Sequence, residues 1–206
     1  MKAGARSQDP GARSRPGSTS QNFVVVALGS NLGNSHQTVL TAMEALQEFS
    51  DTPLLRSSLW QTTPVDCPPG SPNFVNAVVG FTARPEETPD TLLPRLQAIE
   101  QTFGRTPKTI QNEPRALDLD LIAFGDETRS TPELTLPHPR AHQRRFVLQP
   151  LSEIAPDLVL PSQTKTVKQL LEELPVDPTV RRLSQNLKSE GRRESRNPNH
   201  PNNKAG

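Results

Sequence analysis

The sequence predicts an α+β domain built on an antiparallel sheet, and three observations predict it. Four apolar runs of strand length recur between residues 23 and 125. Two of the intervals between them carry apolar residues at helical spacing. The order that results is β-α-β-β-α-β. A chain of 206 residues has room for one such domain with a sizeable core.

"FVVVAL" (23–28) is β-branched and reads as a buried strand, which "GSNLGNS" then breaks. Asn34 or Ser35 caps a helix running to about Phe49, with Val39, Met43, Leu46 and Phe49 on one stripe. "LLRSSLW" (54–60) is the second strand, and the Pro-rich "TTPVDCPPGSPN" is a long loop. "FVNAVVGFTA" (74–83) is the third strand. A second helix starts near Thr88 or Thr91, carries Leu92, Leu96, Ile99 and Phe103 on its apolar stripe, and stops at Gly104. Pro94 fits only in its first turn. A polar loop (105–115) leads into "ALDLDLIAFG" (116–125), the fourth strand, which ends at Gly125–Asp126. This is the split βαβ order of ferredoxin-like folds, with a four-stranded antiparallel sheet and two helices on one face. Residues 141–183 add helices such as "FVLQPLSEIA" and "VKQLLEEL", expected to cover the sheet elsewhere. The domain spans 23–183. Residues 1–22 and 184–206 have little to bury and read as disordered tails.

Charge is unevenly placed. The chain holds 23 Lys and Arg against 22 Asp and Glu, but residues 23–180 hold 12 against 19, a net of −7. An acidic core with basic tails argues against a broad nucleic-acid face. Six of those 12 cations fall in two short segments: Arg105, Lys108 and Arg115, then Arg140, Arg144 and Arg145. Scarce cations gathered in two places point to an anionic ligand. No apolar run reaches membrane-span length, so no membrane is expected. The single cysteine, Cys67, rules out an internal disulfide, and a reducing, cytoplasmic location fits.

Asp118 and Asp120 interrupt the fourth strand. Residues i and i+2 of a strand share a face, so both carboxylates point one way, with Cα atoms about 7 Å apart. Leu117, Leu119 and Leu121 point the other way, into a core, and the acidic face turns apolar at Ile122 and Phe124. A lone D-x-D reads first as a solvated edge paired with Arg115. The regular leucines and the cationic loop turn the reading toward a Mg²⁺ and phosphate site. "GSNLGN" lacks the Lys-Ser/Thr ending of a P-loop; its amides line a pocket or simply make a tight turn.

"ALGSNLGN", "QTTPV", "PNFVNAVV", "EPRALDLDLIAFG" and "LPHPRAHQRRFVLQPLSEIAP" occur in the order seen in 6-hydroxymethyl-7,8-dihydropterin pyrophosphokinases, enzymes of folate biosynthesis. The chain resembles that family over about 23–161. The resemblance implies an α/β/α sandwich and a reaction in which ATP passes pyrophosphate to the pterin hydroxymethyl group, releasing AMP. It implies two Mg²⁺ ions held with ATP by Asp118 and Asp120, phosphate contacts from Arg105, Arg115 and Arg144, and a nucleotide contact from His138. Lys108 stands beside Pro107, where a second Arg is frequent in the family. Gln97 and Glu100 share a helical face and on spacing alone are solvent-exposed; the resemblance makes them ATP contacts. For the pterin it implies Thr62, Val65, Phe74, Asn76 and Phe146. Phe74 and Asn76 share a strand face, which sets a ring beside a carboxamide able to read a pterin edge.

One further departure is Asn112, which stands where the family frequently has Trp, in the segment that the resemblance implies closes over the substrates. The expected partners are two small molecules, ATP and the pterin, acting on a monomer. Two other classes compete: a two-metal phosphodiesterase or nuclease using the same acids, and a ferredoxin-like binding module without activity.

Overall fold

The β-branched run near the N-terminus forms β1 (Phe23–Ser30), an inner strand of the main sheet. The computed structural model describes residues 22–65, 67–105 and 113–184. The chain continues through α1 (Ser35–Ala45), a 3₁₀ turn (Leu46–Phe49), β2 (Leu55–Arg56), β3 (Trp60–Thr62), β4 (Phe74–Thr82), α2 (Pro89–Thr102) and β5 (Asp118–Phe124). A small hairpin of β6 (Arg129–Ser130) and β7 (Thr135–Leu136) follows, then α3 (Arg145–Ile154), α4 (Val167–Glu173) and β8 (Arg181–Arg182). The main sheet runs β5-β1-β4-β3-β8, with β2 also on β4, and its ladders are antiparallel.

The sheet separates two apolar layers. On one face Val24, Val26 and Leu28 of β1 and Ala77, Val79 and Phe81 of β4 pack with Val39, Met43 and Leu46 of the α1 region and Leu92 and Leu96 of α2. On the other, Val25, Val78 and Ile122 pack with Val147, Leu148 and Leu151 of α3 and Val167 and Leu170 of α4. Strand alternation sends successive residues of β1 into opposite layers, which is why the run is continuously apolar. The expected stripe, from Val39 to Phe49, is buried throughout, although the α-helix ends at Ala45 and Leu46 and Phe49 lie in the 3₁₀ turn that follows it; Asn34 caps α1 by accepting from the Gln37 N–H at 3.2 Å.

Several expectations need correction. Among the described residues the main sheet has six strands rather than four. The second predicted strand is split, because the Ser57 hydroxyl accepts from the Val78 N–H at 2.9 Å and takes a place that a backbone carbonyl holds in a regular ladder. Pro94 lies inside α2, not in its first turn. Thr88 and Thr91 form a capping box and Pro89 occupies the first turn, so the helix starts early and carries Pro94 into its second turn. β1 runs two residues past Leu28, pairing Gly29 with Asn76 and Ser30 with Val75. Phe124 does not continue the acidic face. The β1–β5 register shifts between Val25 and Val26, leaving Ile122 as an extra residue, and Phe124 turns into the layer of α1 and α2. The predicted tails lie outside the described residues, apart from Asn22 and Ser184.

Candidate active site

α3 and α4 cover only one end of their face of the sheet. Toward the other end the same alternation presents Ala27 and Gly29 from β1, Phe74 and Asn76 from β4, and Asp118 and Asp120 from β5. Gly29 pairs with Asn76 on one side and Asp118 on the other, so the three residues form a row across three strands. Asp120 sits beside Ala27. These side chains, with Thr62, Val65, Arg115, His138, Arg140, Arg144 and Phe146, line a cavity of about 340 Å³. Gly29 keeps its floor low: a Cβ there would stand 3.3 Å from Asn76 Oδ1 and 3.9 Å from the Phe74 ring.

One half of the cavity is ionic. Arg115 Nη1 lies 2.9 Å from Asp118 Oδ2, Arg105 Nη1 lies 3.7 Å from Asp118 Oδ1, and Arg144 Nη1 lies 4.0 Å from Asp120 Oδ2. The Arg144 guanidinium also stands 5.3 Å over the Phe146 ring, which orients it toward the ionic half. His138 Nδ1 accepts from the Arg140 N–H at 3.2 Å, which places the proton of the neutral ring on Nε2. Burial, followed by the charges of Arg144 and Arg140, lowers the His138 pKa to about 4. Burial and the Arg140 charge also lower the Arg144 pKa. The site therefore offers fixed positive charge and a neutral imidazole donor.

The other half is flat and amidic. Asn76 is buried, and its Nδ2 donates to Thr62 Oγ1 at 2.8 Å, which fixes the carboxamide and leaves Oδ1 as an acceptor. Phe74 and Phe146 line this half with Val65, an exposed apolar side chain in the loop after β3.

The structure brings together nine of the residues singled out in the sequence: Asp118, Asp120, Arg115, His138, Arg144, Thr62, Phe74, Asn76 and Phe146, with Val65 at the rim. Arg105 is not in the lining but reaches its edge through Asp118. Gln97 is exposed and away from the lining. Glu100 reverses the expectation of exposure, being only 1% exposed. Its Oε1 accepts from the Leu119 N–H at 2.8 Å and its other oxygen pairs with Arg105. Leu119 is the residue between the two acids, so Glu100 fastens α2 to the backbone that carries them. A chain reversal after α2 makes this possible: Gly104 (φ +85) lets the Arg105 N–H return to the Glu100 carbonyl at 3.1 Å, which seats Arg105 beside Glu100. Burial is the largest influence on the Glu100 carboxyl and raises its pKa. Lys108, Pro107 and Asn112 lie outside the described residues.

Gly29, named in the sequence only as the start of the glycine-rich turn, and Arg140, named only within the second cationic segment, join the lining, as do Ala27, Leu28, Thr63 and Cys67, which were not singled out as site residues. The signal for Gly29 was its place at the end of a β-branched run; nothing in the sequence marked Cys67 beyond its being the only cysteine.

Asp118 and Asp120 suit a hard cation, and among the described residues no cluster of three or more His, Cys, Asp or Glu makes an all-protein metal cage. Two carboxylates in an arginine-lined cavity match Mg²⁺, which takes one or two carboxylates and completes its shell with water and phosphate oxygens. The surrounding guanidinia match those phosphates.

Comparison with known proteins converges on one family. The family model for 7,8-dihydro-6-hydroxymethylpterin-pyrophosphokinase matches residues 25–156. The 2-amino-4-hydroxy-6-hydroxymethyldihydropteridine pyrophosphokinase of Synechocystis sp. is 41% identical over 150 residues, covering 73% of this chain and 75% of that protein. The Haemophilus influenzae protein of the same name is 40% identical over 151 residues, covering 71% of this chain and 92% of its own. Among solved structures, the wild-type Plasmodium falciparum HPPK-DHPS with SDX-DHP matches with a TM-score of 0.60 at 12% identity, over 78% of this chain and 47% of that one. That likeness concerns the fold, and this chain spans about half the length of that structure.

Proposed function

The chain belongs to the 7,8-dihydro-6-hydroxymethylpterin-pyrophosphokinase family and is a pyrophosphokinase; we propose that it transfers pyrophosphate from ATP to the hydroxymethyl oxygen of 6-hydroxymethyl-7,8-dihydropterin in folate synthesis. The observation that carries this reading is that one cavity holds both halves of the chemistry. Two carboxylates, three arginines and a neutral histidine stand at one side, and a fixed carboxamide with two phenylalanines stands at the other.

In the proposed reaction the pterin hydroxyl oxygen forms a bond to the β-phosphorus and loses its proton. The bond from that phosphorus to the α,β-bridging oxygen breaks, and AMP leaves. The chain's part is to position the reactants and stabilise charge. Arg115 and Arg144 offset the triphosphate charge, Arg105 supports them from the edge, and His138 donates from Nε2 to the nucleotide. Gln97 and Lys108 are taken as further nucleotide contacts on the family resemblance alone. Asn76 Oδ1 accepts from the pterin edge, with the ring between Phe74 and Phe146 and against Thr62 and Val65. Asp118 and Asp120 would hold two Mg²⁺ ions, which supply charge neutralisation across the phosphate oxygens when bound.

The reading also takes residues 23–183 as the catalytic unit of a cytoplasmic monomer with a ferredoxin-like core. Its support is the order β5-β1-β4-β3 with both intervening helices on one face. Among the described residues no helix is long and apolar enough to cross a membrane.

The test is a product analysis. Incubation with MgATP and the dihydropterin is expected to yield AMP only when both are present. Formation of ADP, or cleavage of nucleic acid in place of AMP formation, overturns the proposal and favours a different phosphoryl chemistry.

A further inference from the structure

Asn31 follows the end of β1 and is 2% exposed. It is not among the residues that line the cavity. Its polar groups serve two loops at once. Its backbone N–H donates to the Arg115 carbonyl at 3.1 Å, and its Oδ1 accepts from the Arg115 N–H at 2.8 Å. Its Nδ2 donates to the Pro72 carbonyl at 3.3 Å. Arg115 is the residue that pairs with Asp118, and Pro72 lies two residues before Phe74. The first contact thus adjoins the ionic half of the cavity through Arg115, and the second lies two residues before Phe74 of the aromatic half.

A short side-chain amide is suited to this double task, because it carries an acceptor and a donor on one planar group. Aspartate keeps the acceptor for Arg115 but sets an oxygen against the Pro72 carbonyl. Alanine keeps neither bond. Buried polar groups left without a partner cost more than the bond itself contributes, so each loop depends on its own half of the amide. We infer that Asn31 is a positioning residue that sets the acid–arginine half of the cavity against its aromatic–amide half. Each half is held by a separate atom of one side chain, so the two substrate affinities are separable by substitution. The identity of the two ligands rests on the pyrophosphokinase reading; the two hydrogen bonds do not.

The experiment compares wild type, Asn31→Asp and Asn31→Ala by calorimetry. The ligands are the α,β-methylene analogue of ATP with Mg²⁺, inert because its replaced bridge is the one that breaks, and then the dihydropterin added to that complex. In Asn31→Asp, pterin binding is expected to weaken about tenfold while the nucleotide analogue stays within about twofold. In Asn31→Ala, both weaken about tenfold. Hydrogen exchange of the Arg115 amide, read without ligand, is expected to stay slow in Asn31→Asp and to quicken in Asn31→Ala. Equal weakening of both ligands in Asn31→Asp, or one Arg115 exchange rate for all three proteins, overturns the inference. If Asn31→Ala does not fold, the two affinities of Asn31→Asp decide. A wild type that binds neither ligand counts against the functional reading, and the exchange rates still decide the role of Asn31.

Discussion

The two faces of the sheet carry different tasks although the same strands build both. Under α1 and α2, every residue that β1 and β4 contribute from Val24 to Leu28 and from Ala77 to Phe81 is apolar and buried. Under α3 and α4, the layer is apolar only as far as Val25, Val78 and Ile122. Past that line the strands present Gly29, Asn76, Phe74, Asp118 and Asp120, and the helices end before covering them. Stability and ligand binding are thus divided by face. A strand can meet both demands because its alternation lets one residue serve the core while its neighbour serves the cavity.

The largest expected effect lies on the open face. Asp120→Ala should lower pterin-dependent AMP formation by roughly 10³-fold, the scale of losing an electrostatic group at a phosphoryl site. Thermal unfolding should barely move; a large loss of stability instead would break the division between faces. On the closed face, Leu96→Ala should cost about 2–5 kcal/mol in urea denaturation through cavity formation and leave kcat of the folded protein unchanged. A fall in kcat there would show that the closed face also tunes the site.

Glu100 sharpens the comparison because it links the faces. Glu100→Gln keeps an acceptor for the Leu119 N–H but gives up the ion pair with Arg105. It should reduce kcat by about tenfold, with Leu119 amide exchange still slow, whereas Glu100→Ala should quicken that exchange as well. Identical behaviour of the two variants would mean that Glu100 has one role, not two.

The smallest effect concerns His138. Its pKa of about 4 in the folded protein lies below the usual 6.5, so the unfolded chain takes up a proton first as pH falls. Stability should therefore decline between pH 6.5 and 4, by on the order of 1 kcal/mol after discounting for solvent screening. Denaturation curves of wild type and His138→Gln check this: the variant should lose less over that range. A His138 ring that titrates near 6.5 by NMR would show that the arginines and burial do not act as described.

Much of this was legible in the chain. Alternation alone put Asp118 and Asp120 on one face and Leu117, Leu119 and Leu121 on the other, because a period of two needs no tertiary information. Capping residues and Gly104 marked the helix ends for the same local reason. Glu100 was misjudged because helical spacing says which residues share a face but not whether another element covers that face. The Phe124 reversal was hidden because a bulge is a property of two paired strands, and β5 alone carries no sign of it.

What the sequence determined by itself is therefore the chemistry on offer and its local direction: the paired acids, the clustered arginines, and the ring beside the carboxamide. What only the tertiary structure decided is which of these meet. Gly29 between Asn76 and Asp118, Asn31 between Arg115 and Pro72, and Glu100 behind Leu119 all join segments distant in the chain. Their partners are chosen by strand register and loop return, which depend on the whole packed sheet rather than on any window of residues.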